Sequence, residues 1–445
     1  MSSWMIPAVL ATWIAQLQNM VDARLRDLFR LVFCGMLFTR ERRRTCTSWF
    51  RAASVGRDFQ RGYRTICLAG RKAATMAMSI LFDVANSPAN AKSDRIKLAI
   101  DDTPTQRYGP QVEGAGVHHK PTPGPANQPF VYGHVWVTLA WMVEHVTWGT
   151  IALPVRSELY VRKKDLPRIP EARRPEFRTK LEQAVDLIDW AAKMLAHLGK
   201  SVWLAVDGGY ANRKVLSAAK RNSVTLVGRL RKDAALRNVP GPRPAGKRGR
   251  KRMYGAEVIS LAKRGGHKQG WQTEEMTLYG KPMTKTYKTF LATWKPAKGV
   301  IRVVLVKEDT GWLAFFCTDP NATAAEILDM VADRNSLEQT FKDVKEVGGA
   351  GQQQLRNLHA NIGAWHMNLW AYTMVELWAW EKSEEDLVDR SRSPWDNEPR
   401  RPSHADRRKA LLRRCLQEEF QAAQTGEDQQ QKLIELTERL MLLAA

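Results

Sequence analysis

From Met1 to about Asn90 apolar residues recur at helical spacing, and strand-like alternation is absent. Trp13–Val21 and Leu25–Phe33 show this best, so the stretch predicts packed helices. From Ile96 the pattern changes. Apolar, β-prone runs at Lys97–Asp101, Phe130–Met142 and Thr150–Val155 predict three strands. Glu176–Leu198 is amphipathic, with a stripe of Leu181, Ala184, Val185, Ile188, Ala191, Ala192 and Leu195. A strand at Val202–Val206, a short helix at about Ala211–Lys220 and a strand at Thr225–Leu230 follow. Beyond Arg231 the chain is irregular, then β-like at Tyr287–Trp294, Val300–Val306 and Trp312–Cys317. A helix over Val331–Lys345 comes next, and Trp365, Trp370, Trp378 and Trp380 pack a second one. A chain of 445 residues is too long for one simple core. It divides into a helical segment over 1–95, an α/β segment over 96–230 and a β-rich insertion over 231–320. A return of the α/β unit over 321–384 and a basic helical tail over 385–445 complete it.

Acids sit at informative places in this pattern. Asp101 ends the apolar run that starts at Ile96 and is followed by Asp102 and Thr103. Asp207 ends the run Val202–Val206 and is followed by Gly208 and Gly209. Arg334, Glu338 and Lys345 lie at offsets that fall at about 0°, 40° and 20° around a helix, on one face. Each has a plainer reading. Asp102-Thr103-Pro104 and Asp207-Gly208 are common turn chemistry, and Arg334 with Glu338 is an ordinary i, i+4 surface pair. Two strand-end acids and a helical acid are also an arrangement that can supply the carboxylates two divalent cations need for phosphodiester chemistry.

Together these segments resemble bacterial DDE-type insertion-sequence transposases of the cut-and-paste group with a Y-x2-R-x3-E-x6-K signature. Arg334, Glu338 and Lys345 match its last three positions, while Val331 stands where the signature has Tyr. Asp101-Asp102-Thr103 and Leu204–Tyr210 resemble the first and second acidic motifs, and the resemblance runs from about Thr45 to Glu419. It implies an α/β, ribonuclease-H-like catalytic domain interrupted by a β-rich insertion. It implies a transposase that nicks and joins double-stranded DNA at the ends of an element and at a target, as a homodimer in the synaptic complex. Mg²⁺ would be the cofactor, with Mn²⁺ able to substitute. Asp101 would bridge two ions, and Asp207 and Glu338 would each hold one. Asp102 competes for the first position, but successive strand side chains face opposite ways, so both cannot point into the site. The family pattern puts the ligand directly after the apolar strand, which selects Asp101. Arg334 and Lys345 would grip phosphates, or else form helix-surface contacts.

Composition agrees with a polyanionic partner. Lys and Arg total 69 against 46 Asp and Glu, a formal charge of +23. Lys247, Arg248, Arg250, Lys251 and Arg252 follow a Pro- and Gly-rich stretch and read as a flexible basic loop for DNA phosphates, or as a solubilising linker. Arg229–Lys232 and Arg400–Arg414 are the other dense runs, and the basic cluster Arg40–Arg51 beside Trp49 reads as a DNA contact that makes 1–95 a DNA-binding domain, or as a solvated face. Val131–Val143 and Ile362–Trp380 are interrupted by His134, His366 and Glu376, so no membrane span is expected. Ile6–Leu17 lacks a basic leader, and the five scattered cysteines form no C-x2-C pair. A cytoplasmic, nucleoid-associated bacterial protein is the expectation. His118 and His119 have no ligand partner at metal spacing and read as loop or core residues. Trp271 and Trp294 read as core, with stacking on an unpaired base the alternative. A nuclease of the same fold without strand transfer and an inactive DNA-binding derivative are the competing functions.

Overall fold

The structure is a computed structural model that describes residues 4–91, 93–119, 129–243, 246, 248–391, 393, 395–425 and 429–444. Five helices come first: α1 (Ala8–Asn19), α2 (Arg26–Phe38), α3 (Cys46–Ala52), α4 (Phe59–Arg71) and α5 (Ala73–Ala85). Thr45 caps α3 through the Ser48 amide. Gly35 lets α2 lie against α3, since a Cβ there would run into the Trp49 carbonyl.

Strands β1 (Arg95–Gln106), β2 (Gly116–His119), β3 (Phe130–His145) and β4 (Gly149–Tyr160) follow. Then come α6 (Lys180–Leu195), β5 (Ser201–Val206), α7 (Arg213–Arg221) and β6 (Thr225–Leu230). A capping box between Thr179 and Glu182 starts α6 four residues later than the amphipathic pattern suggests. Next are β7 (Leu236–Arg237), β8 (Val258–Ile259), α8 (Leu261–Gly266), β9 (Gln272–Leu278), β10 (Lys281–Trp294), β11 (Gly299–Glu308) and β12 (Gly311–Cys317). Helices α9 (Ala324–Glu346), α10 (Leu358–Ala379), α11 (Glu384–Leu387), α12 (His404–Thr425) and α13 (Gln429–Ala444) end the chain.

The described strands form one 12-stranded sheet in the order β2-β3-β1-β5-β6-β12-β11-β10-β7-β8, with β4 on β3 and β9 on β10. Strand β1 runs parallel to β5, and β5 parallel to β6, whereas β3 is antiparallel to β1 and to β4. The segment 231–320 does not build a sheet of its own, because β12 pairs antiparallel with β6 and continues the same one. Period-2 alternation sends the two faces of β1 to different cores. Ile96, Leu98 and Ile100 face the core shared with α6, α10 and the first five helices, while Ala99 faces α9.

Helix α10 is apolar all round because it is enclosed all round. The indole N–H of Trp370 donates to the Val155 carbonyl at 2.9 Å, and that of Trp365 to the Ser157 hydroxyl at 3.0 Å, docking α10 on β4. Its other side meets α4 at Gly70 and Gly363, where a Cβ would run into the His359 and Ile66 carbonyls respectively. One continuous core therefore runs from Trp4 to Cys415, and the first five helices are not a detached lobe.

The run Arg400–Arg414 is partly consumed internally. Arg407 and His404 pair with the buried Glu376, and Arg408 donates to the carbonyls of Met36, Leu37 and Val347. No single described helix is long and apolar enough to cross a membrane.

Candidate active site

Strand register brings the two upstream acids together. The last registered pair between β1 and β5 is Ile100 with Val206, so Asp101 and Asp207 are the next residues on adjacent parallel strands, at the same level. At Asp207 the chain leaves the sheet in a turn. Its Oδ1 accepts from the amides of Gly209 at 2.9 Å and Tyr210 at 3.1 Å, which fixes the carboxylate and leaves Oδ2 outside that turn.

Alternation along β1 sends Asp101 and Asp102 to opposite faces. Lys97, Ala99, Asp101 and Thr103 share the face toward α9, and three of them bond to it. Lys97 Nζ reaches Asp329 at 2.6 Å and Asp333 at 2.7 Å. Asp101 Oδ2 accepts from Arg334 Nη2 at 2.7 Å, and the Thr103 hydroxyl accepts from Lys345 Nζ at 2.9 Å. The spacing works because six residues of strand and sixteen of helix both span roughly 20–24 Å. Asp102 points to the opposite face, where it pairs with Lys180 at 2.7 Å and accepts from the Tyr210 hydroxyl at 2.9 Å.

Glu338 reaches this group through Arg334, whose Nη1 lies 3.3 Å from Glu338 Oε1. The Arg334 side chain is 16% exposed and that of Glu338 61%. Burial above all raises the Asp101 carboxyl to about 6, with Arg334 opposing and the charges of Asp207 and Asp102 adding. Burial, then the charge of Asp102 and the bond to it, raises the Tyr210 phenol far above its usual range. Beside these groups opens a cleft of about 870 Å³. Asp207, Arg229, Arg231, Lys232, Arg334 and Glu338 line it, and Val331 lies on its wall.

Among the described residues no three His, Cys, Asp or Glu side chains stand close enough to make a finished metal cage. The donor set nevertheless fits hard divalent cations. It offers carboxylates at matching positions on neighbouring strands and a side-chain cation already bridging Asp101 to Glu338.

The basic loop lies elsewhere. Arg248, Arg250, Lys251 and Arg252 are exposed between β7 and β8, while Lys247 falls outside the described residues. Strand β7 is five strand positions from β5, roughly 24 Å along the sheet. His118 is buried beside Tyr160, and its ring is pushed down to about 4 by burial first and then by Arg162 and Lys180. Trp294 packs edge-on against Phe316, and the Lys288 ammonium sits over Trp271. Sequence reasoning missed Lys97, Asp329 and Asp333. The available signal was Lys97 in an otherwise apolar strand, on the same face as Asp101.

A family model described as DDE superfamily endonuclease matches residues 17–295, a span that includes Asp101 and Asp207 and ends before Glu338. No curated protein matches the chain.

Proposed function

The chain belongs to the DDE superfamily endonucleases, and from that premise we propose that it is a DNA transposase. It cuts phosphodiester bonds at the inverted-repeat ends of an insertion sequence and joins them to a target. The observation that carries this reading is the equal level of Asp101 and Asp207 on parallel strands, with Glu338 tied to Asp101 through Arg334. The order β4-β3-β1-β5-β6, with β1, β5 and β6 parallel and α9 laid across them, supports a ribonuclease-H-like catalytic unit. In this reading β7 to β12 are the insertion, lengthening that sheet before the chain returns through α9.

Asp101, Asp207 and Glu338 would hold two Mg²⁺ ions, with Mn²⁺ a substitute. When bound, the ions supply charge stabilisation for the attacking and leaving oxygens of an in-line displacement. The chain's own residues do the rest. Arg334 and Lys345 hold phosphates beside the scissile bond, Arg229, Arg231 and Lys232 guide the backbone along the cleft, and the β7–β8 loop grips DNA further from the cut. Two copies acting on paired ends, in the cytoplasm of a bacterium, complete the reading.

The test is cleavage of a duplex bearing the cognate end. Asp101→Asn, Asp207→Asn and Glu338→Gln should each lower the rate with Mg²⁺ by several orders of magnitude. Each should leave DNA affinity near the parent value, because lysine and arginine bound to phosphate supply most of it. Parent-like cutting by all three would end the proposal. The family description names an endonuclease, which makes cutting without joining the second reading. Cut ends with no joined product in a target plasmid would select it.

A further inference from the structure

The Arg334 guanidinium occupies an unusual position for a phosphate-gripping residue. It forks between two carboxylates, 2.7 Å from Asp101 Oδ2 and 3.3 Å from Glu338 Oε1. Its Nε is buried without a hydrogen-bond partner. The Asp101 contact is short and enclosed, whereas the Glu338 contact is longer and its carboxylate 61% exposed. A divalent ion bridging these acids would need the same oxygens and would face a like charge a few Å away. The guanidinium and the ion therefore exclude each other. Phosphate offers Arg a bidentate alternative. The cleft beside Arg334 also carries Arg229, Arg231 and Lys232, which favour bringing a phosphate there.

We propose that Arg334 is a built-in counter-ion that stands in for a metal between Asp101 and Glu338 until a DNA phosphate draws it away, so that metal loading follows DNA binding. This rests on the two-metal reading of the same acids. Binding free energies are reciprocal, so whatever factor DNA adds to metal affinity, metal adds to DNA affinity.

Bound Mn²⁺, counted by electron paramagnetic resonance, tests this without relying on activity. The DNA-free parent should bind Mn²⁺ weakly. Arg334→Gln should bind it at least about tenfold more tightly, because a nearby opposing charge is gone. Arg334→Met, also neutral and of similar length, is measured in parallel so that a folding defect in one variant does not decide the result. A short duplex, corrected for Mn²⁺ on DNA alone, should raise the parent's affinity by a larger factor than the variants'. Equal DNA-free affinity in parent and variants, or an equal rise with duplex, overturns the counter-ion role. Asp101→Asn and Glu338→Gln separate the two claims. Should they bind Mn²⁺ like the parent with and without duplex, the metal reading itself falls. Should they lose Mn²⁺ while neither Arg334 variant gains any, the counter-ion role alone fails.

Discussion

Both carboxylate oxygens of Asp102 are engaged, one by the Tyr210 hydroxyl and the other by Lys180. Tyr210 in turn donates its amide to Asp207, so Asp102 steadies the turn that aims Asp207 without facing α9 itself. Asp102→Asn should keep the shape and one acceptor while losing the ion pair. In single-turnover cleavage it should slow the reaction by roughly tenfold or less, against orders of magnitude for Asp101→Asn. The reverse ranking would show that the first acid is Asp102. This division was half legible in the sequence. Alternation says that neighbouring strand residues face opposite ways, but not which face a later helix will cover. Only the long-range bonds of Lys97, Asp101 and Thr103 to α9 answer that. Arg334 was legible as a helix-face partner of Glu338, whereas its firmer bond to Asp101 joins residues 233 positions apart, beyond any local pattern.

Helix α9 is held along β1 by polar bonds at its beginning, middle and end, and by Ile327, Met330, Leu337 and Phe341 packed on the sheet between them. Of the described ion pairs between α9 and β1 the most enclosed is Lys97 with Asp333, whose carboxylate is 3% exposed and also accepts from the Thr150 hydroxyl. Lys97→Met leaves that buried carboxylate without its cation, a class of change that costs about 3–5 kcal/mol. Urea denaturation should show a loss of about that size, and adding Asp333→Asn should recover much of it. An unchanged midpoint for Lys97→Met would mean that the apolar packing holds α9 alone. The element pattern was readable wherever period and breakers agreed, as at β6, expected and found at Thr225–Leu230. The junction of β12 with β6 was not readable. Hydrogen-bonded register between strands so far apart leaves no trace in either strand's own alternation.

Across the whole molecule, positive charge has two destinations. The exposed residues Arg248, Arg250, Lys251 and Arg252 remain available to a polyanion, whereas Arg407 and Arg408 are spent inside the fold. Neutralising the four exposed residues together with Lys247 should lower DNA affinity and flatten its log–log salt slope by up to about 0.9 for each phosphate that the loop no longer neutralises. An unchanged slope would place the DNA away from β7 and β8. The same substitution at Arg408 should instead register as lost stability. Arg408 also joins distant parts of the chain, tying the carbonyls of Met36 and Leu37 to that of Val347, while Glu419 accepts from the Met5 amide. Residues of α12 thus close over the first helices. At a synthesis rate of roughly 5–20 residues per second, the first helices emerge long before their clasp exists. A nascent chain carries Asp101, Asp207 and Glu338 before Arg408 is there to bond Val347, the residue that follows α9. The carbonyls of Met36, Leu37 and Val347 therefore stay without this shared donor until α12 has been made.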